Sequence, residues 1–226
     1  LDVTDPGLYE TESSARAAVL WEFTDEDDTY PVDALGVPLG GSVGAIRDPN
    51  GAPVKDLGYS LSLPSVVMSN ATDGSSVEKE WVAVFGNGPN STAGYAKLFV
   101  AFIDRGLDGW QDGDFVKLDT GYGVPLSPHP LTGFPNGLGS PTAVDTDLNG
   151  TVDLVYAGDR LGNLFRFDLS DENPSNWTST RIFTATYTEG GVNTIQPILS
   201  QPLVVRHPTE QGFLVIFGTG SYVTRD

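Results

Sequence analysis

Cysteine is absent from the 226 residues, and methionine occurs once. Without it there is no disulfide framework, thiolate metal site or cysteine nucleophile, so stability must come from packing, polar contacts or a hard cation. Basic residues are scarce: 12 Lys and Arg stand against 30 Asp and Glu, a formal net charge of −18. Such a surface repels nucleic acid and anionic lipid, and no Lys/Arg cluster or basic amphipathic stretch overrides it. Histidine is limited to His129 and His207, each beside a proline. Long apolar runs are missing too. No stretch approaches the roughly 18 residues of a transmembrane span. The opening residues do not read as a signal peptide, so any export signal is expected outside this segment.

Glycine and proline, by contrast, are plentiful at 27 and 16 residues. They interrupt the chain so often that few ten-residue windows sustain a helix, while β-branched and aromatic runs recur between them. The fold class is all-β, with strands expected at Ala17–Thr24, Pro64–Met68, Glu80–Phe85, Lys97–Ile103, Thr142–Val144, Leu154–Ala157, Leu164–Asp168, Arg181–Tyr187, Leu203–Arg206 and Phe213–Phe217. Three segments share one grammar: a strand after Pro64, Pro141 or Pro202, then an apolar strand ended by a glycine turn at Gly86, Gly158 or Gly218. The first two add an outer strand ending in Asp104 or Asp168. That is the grammar of propeller blades, so residues 1–226 are expected to form one modified β-propeller unit or part of one. Three repeats fall short of the four to eight blades that usually close a ring. An incomplete set of blades is therefore expected. The stretch Asp25–Leu57, opening on Asp25-Glu26-Asp27-Asp28, reads as a long acidic, Gly/Pro-rich loop insertion.

The most specific chemistry lies in Asp145-Thr-Asp147-Leu-Asn149-Gly150-Thr151-Val-Asp153, where oxygen ligands alternate around a glycine. Calcium takes six to eight oxygens at about 2.3–2.6 Å, from carboxylates, carboxamides, carbonyls and water. Asp145, Asp147 and Asn149 would supply side-chain oxygens, Thr151 its carbonyl, and Asp153 would close the cage, while Gly150 permits the bend. The EF-hand pattern breaks at the twelfth position, where Tyr156 replaces the bidentate Glu, and an apolar β-prone run follows rather than a helix. Magnesium, which demands a tight octahedron and keeps its waters, suits this flexible set less well. An acidic surface with a calcium loop of this kind favours an extracellular bacterial setting.

Other motifs carry less. Asp104, Asp108, Asp112 and Asp114 do not alternate cleanly and read as a solvated turn. No Ser/His/Asp triad, nucleophile elbow or phosphate-binding loop is visible, so catalysis is not expected. Gly86-Asn-Gly88 and Gly218-Thr-Gly220 read as hairpin turns needing positive φ. Trp21, Trp81, Phe99 and Phe165 are expected in the core, and Trp110 and Trp177 in loops as candidate surface contacts. The sequons at Asn70, Asn90, Asn149 and Asn176 read as chance.

Taken in order, Val19-Leu-Trp-Glu-Phe23, Leu57 to Val66, Trp81 to Gly88, the acidic loop with Tyr156 to Asp159, Gly162 to Asp168, and Phe217 to Tyr222 resemble the C-terminal propeller of the PilC/PilY family of type IV pilus tip-associated proteins. The resemblance implies a propeller at the pilus tip or outer membrane surface of a Gram-negative bacterium. It further implies a role with pilus proteins, either minor or major pilins, in pilus biogenesis, adhesion to surfaces including a host, and calcium-controlled extension and retraction in twitching motility. It maps the calcium ligands onto Asp145, Asp147, Asn149, Thr151 and Asp153. Two alternatives use propellers differently. The FG-GAP repeats of integrin α propellers carry an acidic loop in several blades, where here one is convincing. Quinone-dependent dehydrogenases combine a calcium propeller with a cofactor cradle at the ring centre.

Overall fold

A computed structural model describes residues 7, 10–17, 19–25, 27, 55–72, 78–91, 93–111, 113–123 and 135–220. A short helix α1 (Glu12–Ala17) precedes β1 (Ser65–Thr72), β2 (Lys79–Gly86), β3 (Tyr95–Phe102) and β4 (Phe115–Gly123), which form one antiparallel sheet in chain order. A second four-stranded sheet follows in the same order: β5 (Thr142–Val144), β6 (Leu154–Gly158), β7 (Asn163–Asp168) and β8 (Thr178–Thr184). Two hairpins complete the described chain, β9 (Thr186–Glu189) with β10 (Val192–Ile195) and β11 (Leu203–Arg206) with β12 (Phe213–Ile216). Four-stranded antiparallel sheets in which each strand pairs with its predecessor have the form of propeller blades. Among the described residues two blades and the opening hairpin of a third make an incomplete propeller, as the repeat grammar predicts. No helix among them is long and apolar enough to cross a membrane.

Strand β3 shows why the fold packs as it does. Leu98, Val100 and Phe102 point into a core shared by both blades, with Val155, Ala157, Phe165, Phe167 and Leu169 of the second. Phe99, on the opposite face, meets Phe85 at 5.3 Å and Phe23 at 5.7 Å between ring centroids. With both faces covered, β3 needs an almost unbroken apolar run. The exception is Lys97, which is buried beside Asp56 at 2.7 Å and Asp119 at 3.2 Å, while Lys117 reaches the other Asp56 oxygen at 3.0 Å.

The blades are joined at repeated glycines. A Cβ on Gly86 would lie 2.2 Å from the Gly139 carbonyl oxygen, and one on Gly158 would lie 2.3 Å from Ile198 Cγ2. Hydrogen at these positions lets the incoming connection lie against the strand end. A buried polar residue follows each glycine. Asn87 donates to the Asp56 and Tyr95 carbonyls at 2.8 and 2.9 Å and accepts from the Lys97 and Leu138 amides at 3.0 and 2.9 Å. Asp159 accepts from the Asn163 amide at 2.8 Å and from the Asn163 and Asn136 carboxamides, both at 2.9 Å. The connection through residues 136–138 thus touches both knots.

Several expectations are corrected. No strand forms over Ala17–Thr24: α1 runs to Ala17, and the following segment lies unpaired against the first blade. Its aromatics determine this, since Phe23 packs edge-on against Phe85, Phe99, Trp110 and Phe115, and Trp21 against Trp110 at 4.9 Å. The strand expected at Arg181–Tyr187 divides at Ala185, whose amide donates to the Gly162 carbonyl (2.7 Å) rather than to a strand. Trp81 is 49% exposed at the blade rim, whereas Trp177 is 5% exposed and stacked on Phe102. Strands β4 and β10 were not anticipated. The insertion expected at Asp25–Leu57 lies, apart from residues 25, 27 and 55–57, outside the described residues.

Candidate metal centre

The acidic loop fills the turn between β5 and β6. Asp145 directly follows the first strand, and Asp153 directly precedes the second. Leu148 adopts φ 67° and Gly150 φ 94°. Left-handed backbone is costly for leucine and free for glycine. Asp145 holds the bend by accepting from the Leu148, Asn149 and Gly150 amides at 2.6, 3.3 and 2.8 Å. Asp147 accepts from the Asn149 amide and carboxamide, both at 3.1 Å. Asn149 Oδ1 in turn accepts from the Thr151 amide at 2.8 Å and hydroxyl at 2.5 Å.

The effect is convergence. Asp145, Asp147 and Asp153 bring one carboxylate oxygen each within 4.8 Å of one another. Two oxygens on opposite sides of a shared calcium lie about 4.6–5.2 Å apart, twice the ligand distance, so this span fits a single ion. Partial desolvation pushes the Asp145 pKa up, but the hydrogen bonds donated by the Gly150, Leu148 and Asn149 amides outweigh it. The carboxyl therefore lies below its ordinary 3.8. A carboxylate that stays ionised suits a hard cation.

Asp153, 8% exposed, is the most enclosed of the three. One of its oxygens accepts from the Thr146 amide at 2.8 Å and hydroxyl at 2.5 Å. The other accepts from Asn70 Nδ2 at 3.1 Å. Asn70 belongs to β1 of the first blade, and sequence reading did not assign it to this site. The available signal was a polar pair, Ser69-Asn70, closing an otherwise apolar strand whose partner strand carries Val82 and Val84.

The second acidic cluster is arranged differently. Arg105 pairs with Glu80 at 2.5 Å and donates to the Gly113 carbonyl, and Asp114 accepts from the Gln111 amide. Asp112 lies outside the described residues, as does His129. His207 accepts from the Thr209 and Glu210 amides through Nδ1 and so caps a turn. Gly88 and Gly220 have positive φ, of 74° and 135°.

Known proteins match this architecture. A family model described as the PilY1 beta-propeller domain matches residues 15–226. The type IV pilus biogenesis factor PilY1 of Pseudomonas aeruginosa is 31% identical over 98% of this chain, which covers 16% of that protein. A PilY1 homolog of Xylella fastidiosa is 30% identical over 98% of the chain, which covers 12% of its length. The crystal structure of the P. aeruginosa PilY1 C-terminal domain matches with a TM-score of 0.57 and 32% identity, covering 75% of this chain and 34% of that one. The chain thus spans less than a fifth of the curated relatives it matches, and the likeness read from its motifs extends over nearly all of it. Fold, motif order and sequence agree, and the chain belongs to the PilY1 β-propeller family.

Proposed function

We propose that this chain is a calcium-binding propeller segment of a type IV pilus-associated protein of a Gram-negative bacterium, acting at the cell surface in pilus biogenesis. The observation that carries the metal reading is the convergence of three carboxylates on one point of the β5–β6 turn. Asp145, Asp147, Asn149, the Thr151 carbonyl and Asp153 would hold the ion. Bound there, calcium supplies positive charge that offsets the mutual repulsion of the carboxylates. Asp145 shapes the turn through three backbone amides, and Asp153 ties its end to Thr146 and to the neighbouring blade. Ligand at 100 times its dissociation constant adds about 2.7 kcal/mol to the bound state, enough to bias an ordered turn over a loosened one.

The relatives' name of type IV pilus biogenesis factor supports pilus proteins in general as partners; minor or major pilins, adhesion and calcium-linked extension and retraction belong to the same proposal. We assign no catalytic role. Among the described residues, the cleft lined by Trp21, Phe23, Tyr59 and Phe85 gathers no set of titratable groups suited to proton transfer. Calorimetric titration with calcium, with magnesium as competitor, tests the metal site on the chain and on its Asp145→Ala form. One-site binding that disappears in the variant is expected. Equal binding by both forms, or by neither, would remove the assignment.

A further inference from the structure

The acidic loop is not supported by its own blade alone. Asn70, 7% exposed at the end of β1, directs its whole carboxamide across the seam into the second blade. Its Nδ2 donates to the Val152 carbonyl at 2.9 Å, to Asp153 Oδ1 at 3.1 Å and to the Leu169 carbonyl at 3.4 Å. Its Oδ1 accepts from the Thr151 hydroxyl at 2.8 Å. Beside it, the Val152 amide donates to the Met68 carbonyl at 2.8 Å, and Ser69 forms a parallel bridge with Val152. The Asn70 carbonyl accepts from Lys79 Nζ at 2.7 Å, and that ammonium pairs with Glu172 of the second blade at 2.8 Å. Every hydrogen bond of the Asn70 carboxamide is thus made to the second blade, three of them at or immediately next to residues of the acidic loop.

We propose that Asn70 is a positioning residue for the metal loop, and that through it ion binding and the seam between the two blades are one linked equilibrium. The inference rests on the calcium reading of the loop. Asn70 is not a ligand. It fixes the orientation of Asp153 and the path of residues 151–153, as outer partners of a metal site orient the groups that touch the ion. Linkage is reciprocal: a seam that sets the loop for calcium is itself tightened when calcium binds. The ion's effect would then reach β1, on the neighbouring blade, rather than remain in the exposed turn.

The test is calorimetric calcium titration combined with amide hydrogen exchange, with and without calcium, on the full chain and on its Asn70→Ala, Thr151→Val and Asp145→Ala forms. Thr151→Val removes the hydroxyl shared between Asn70 Oδ1 and the ligand Asn149 Oδ1 while keeping the backbone carbonyl, so its weaker binding counts for the seam only together with lost protection in β1; it serves should Asn70→Ala not fold. In the wild type, calcium is expected to slow exchange both in the loop and in β1. Asn70→Ala should bind calcium about 10–100-fold more weakly, the range for loss of an outer partner. At saturating calcium its protection should be confined to the loop. Thr151→Val should move the same way by a smaller factor. Wild-type binding that is abolished by Asp145→Ala but unchanged in both seam variants, or wild-type binding that leaves β1 exchange unaltered, would overturn this inference and leave the metal site standing. No wild-type binding would overturn both.

Discussion

Asp159 makes the blade junction sensitive to pH, and the size of the effect follows from its surroundings. Burial pushes its carboxyl up from 3.8 to about 6, against the opposing hydrogen bonds of Asn163 and Asn136. At about 1.4 kcal/mol per pH unit, the interval from 3.8 to about 6 makes the ionised form about 3 kcal/mol less favourable in the fold than in the unfolded chain. The sign follows from proton uptake. Between those two values the folded chain binds more protons than the unfolded one, so this group's contribution to stability falls as pH rises, and the loss is complete above the window. Asp159→Asn removes the titration but turns a carboxamide N–H toward donors, at a pH-independent cost of about 1–3 kcal/mol. The informative quantity is therefore the difference between the two proteins across pH. From pH 4 to pH 7 the wild type should lose about 2 kcal/mol relative to the variant, a shift of roughly 1 M in relative urea midpoint. Urea unfolding at four pH values, with a chelator present so that the acidic loop is metal-free throughout, measures it. Parallel stability curves, or curves diverging in the opposite sense, would refute the reasoning.

Three further outcomes follow from packing and charge. Asp56→Ala takes away the carboxylate facing both Lys97 and Lys117, each almost fully buried, and should destabilise by about 3–5 kcal/mol in thermal melts; a loss under about 1 kcal/mol would mean the site relaxes. Gly158→Ala places a methyl 2.3 Å from Ile198 Cγ2 and 2.4 Å from its carbonyl oxygen. It should cost about 1–3 kcal/mol or more and speed proteolysis beyond β8, whereas Gly218→Ala, whose nearest neighbour is Ser200 Oγ at 3.8 Å, should stay within about 0.5 kcal/mol. Trp177→Ala empties a buried site stacked on Phe102 and removes the indole N–H donated to the Asp171 carbonyl; a loss of about 3–5 kcal/mol is expected, read as a lowered melting temperature with unchanged far-ultraviolet dichroism.

The propeller architecture was readable because repetition is a property of the chain itself. Strands β5 and β11 fall where β-propensity between turn residues puts them, and β2, β3, β6 and β12 differ from expectation by a few end residues. The acidic loop was equally local, since all its polar atoms lie within nine consecutive positions. What stayed hidden depended on distant partners. Strand β4, where no strand was expected, carries Lys117, Asp119 and two glycines, and its charges are matched only by Asp56 and Lys97 arriving from elsewhere. Trp177 lies in a loop as expected, but its burial was hidden because the face that covers it, around Phe102, is far off in sequence. Trp21 and Phe23 carry a strand-like alternation that is spent on an aromatic cluster instead of a sheet edge. Asn70 resembled a glycosylation sequon, and its partners lie more than 80 positions away. Local propensity cannot report such pairings.

The two polar knots also bear on how similar repeats avoid exchanging neighbours as they fold. Apolar blade faces are forgiving, and a chain of look-alike blades risks stacking the wrong pair, a characteristic failure of repeat proteins. A buried polar group is not forgiving, because each orphaned donor or acceptor costs about 1–3 kcal/mol. Asn87 requires two acceptors and two donors, whereas the Asp159 carboxylate takes donors only. The connection through residues 136–138 donates to both, but the carbonyl acceptors that Asp56 and Tyr95 present to Asn87 would meet no donor on a carboxylate. The amide behind one strand-end glycine and the acid behind the other thus give the two junctions different hydrogen-bond polarity where shape alone would leave them alike.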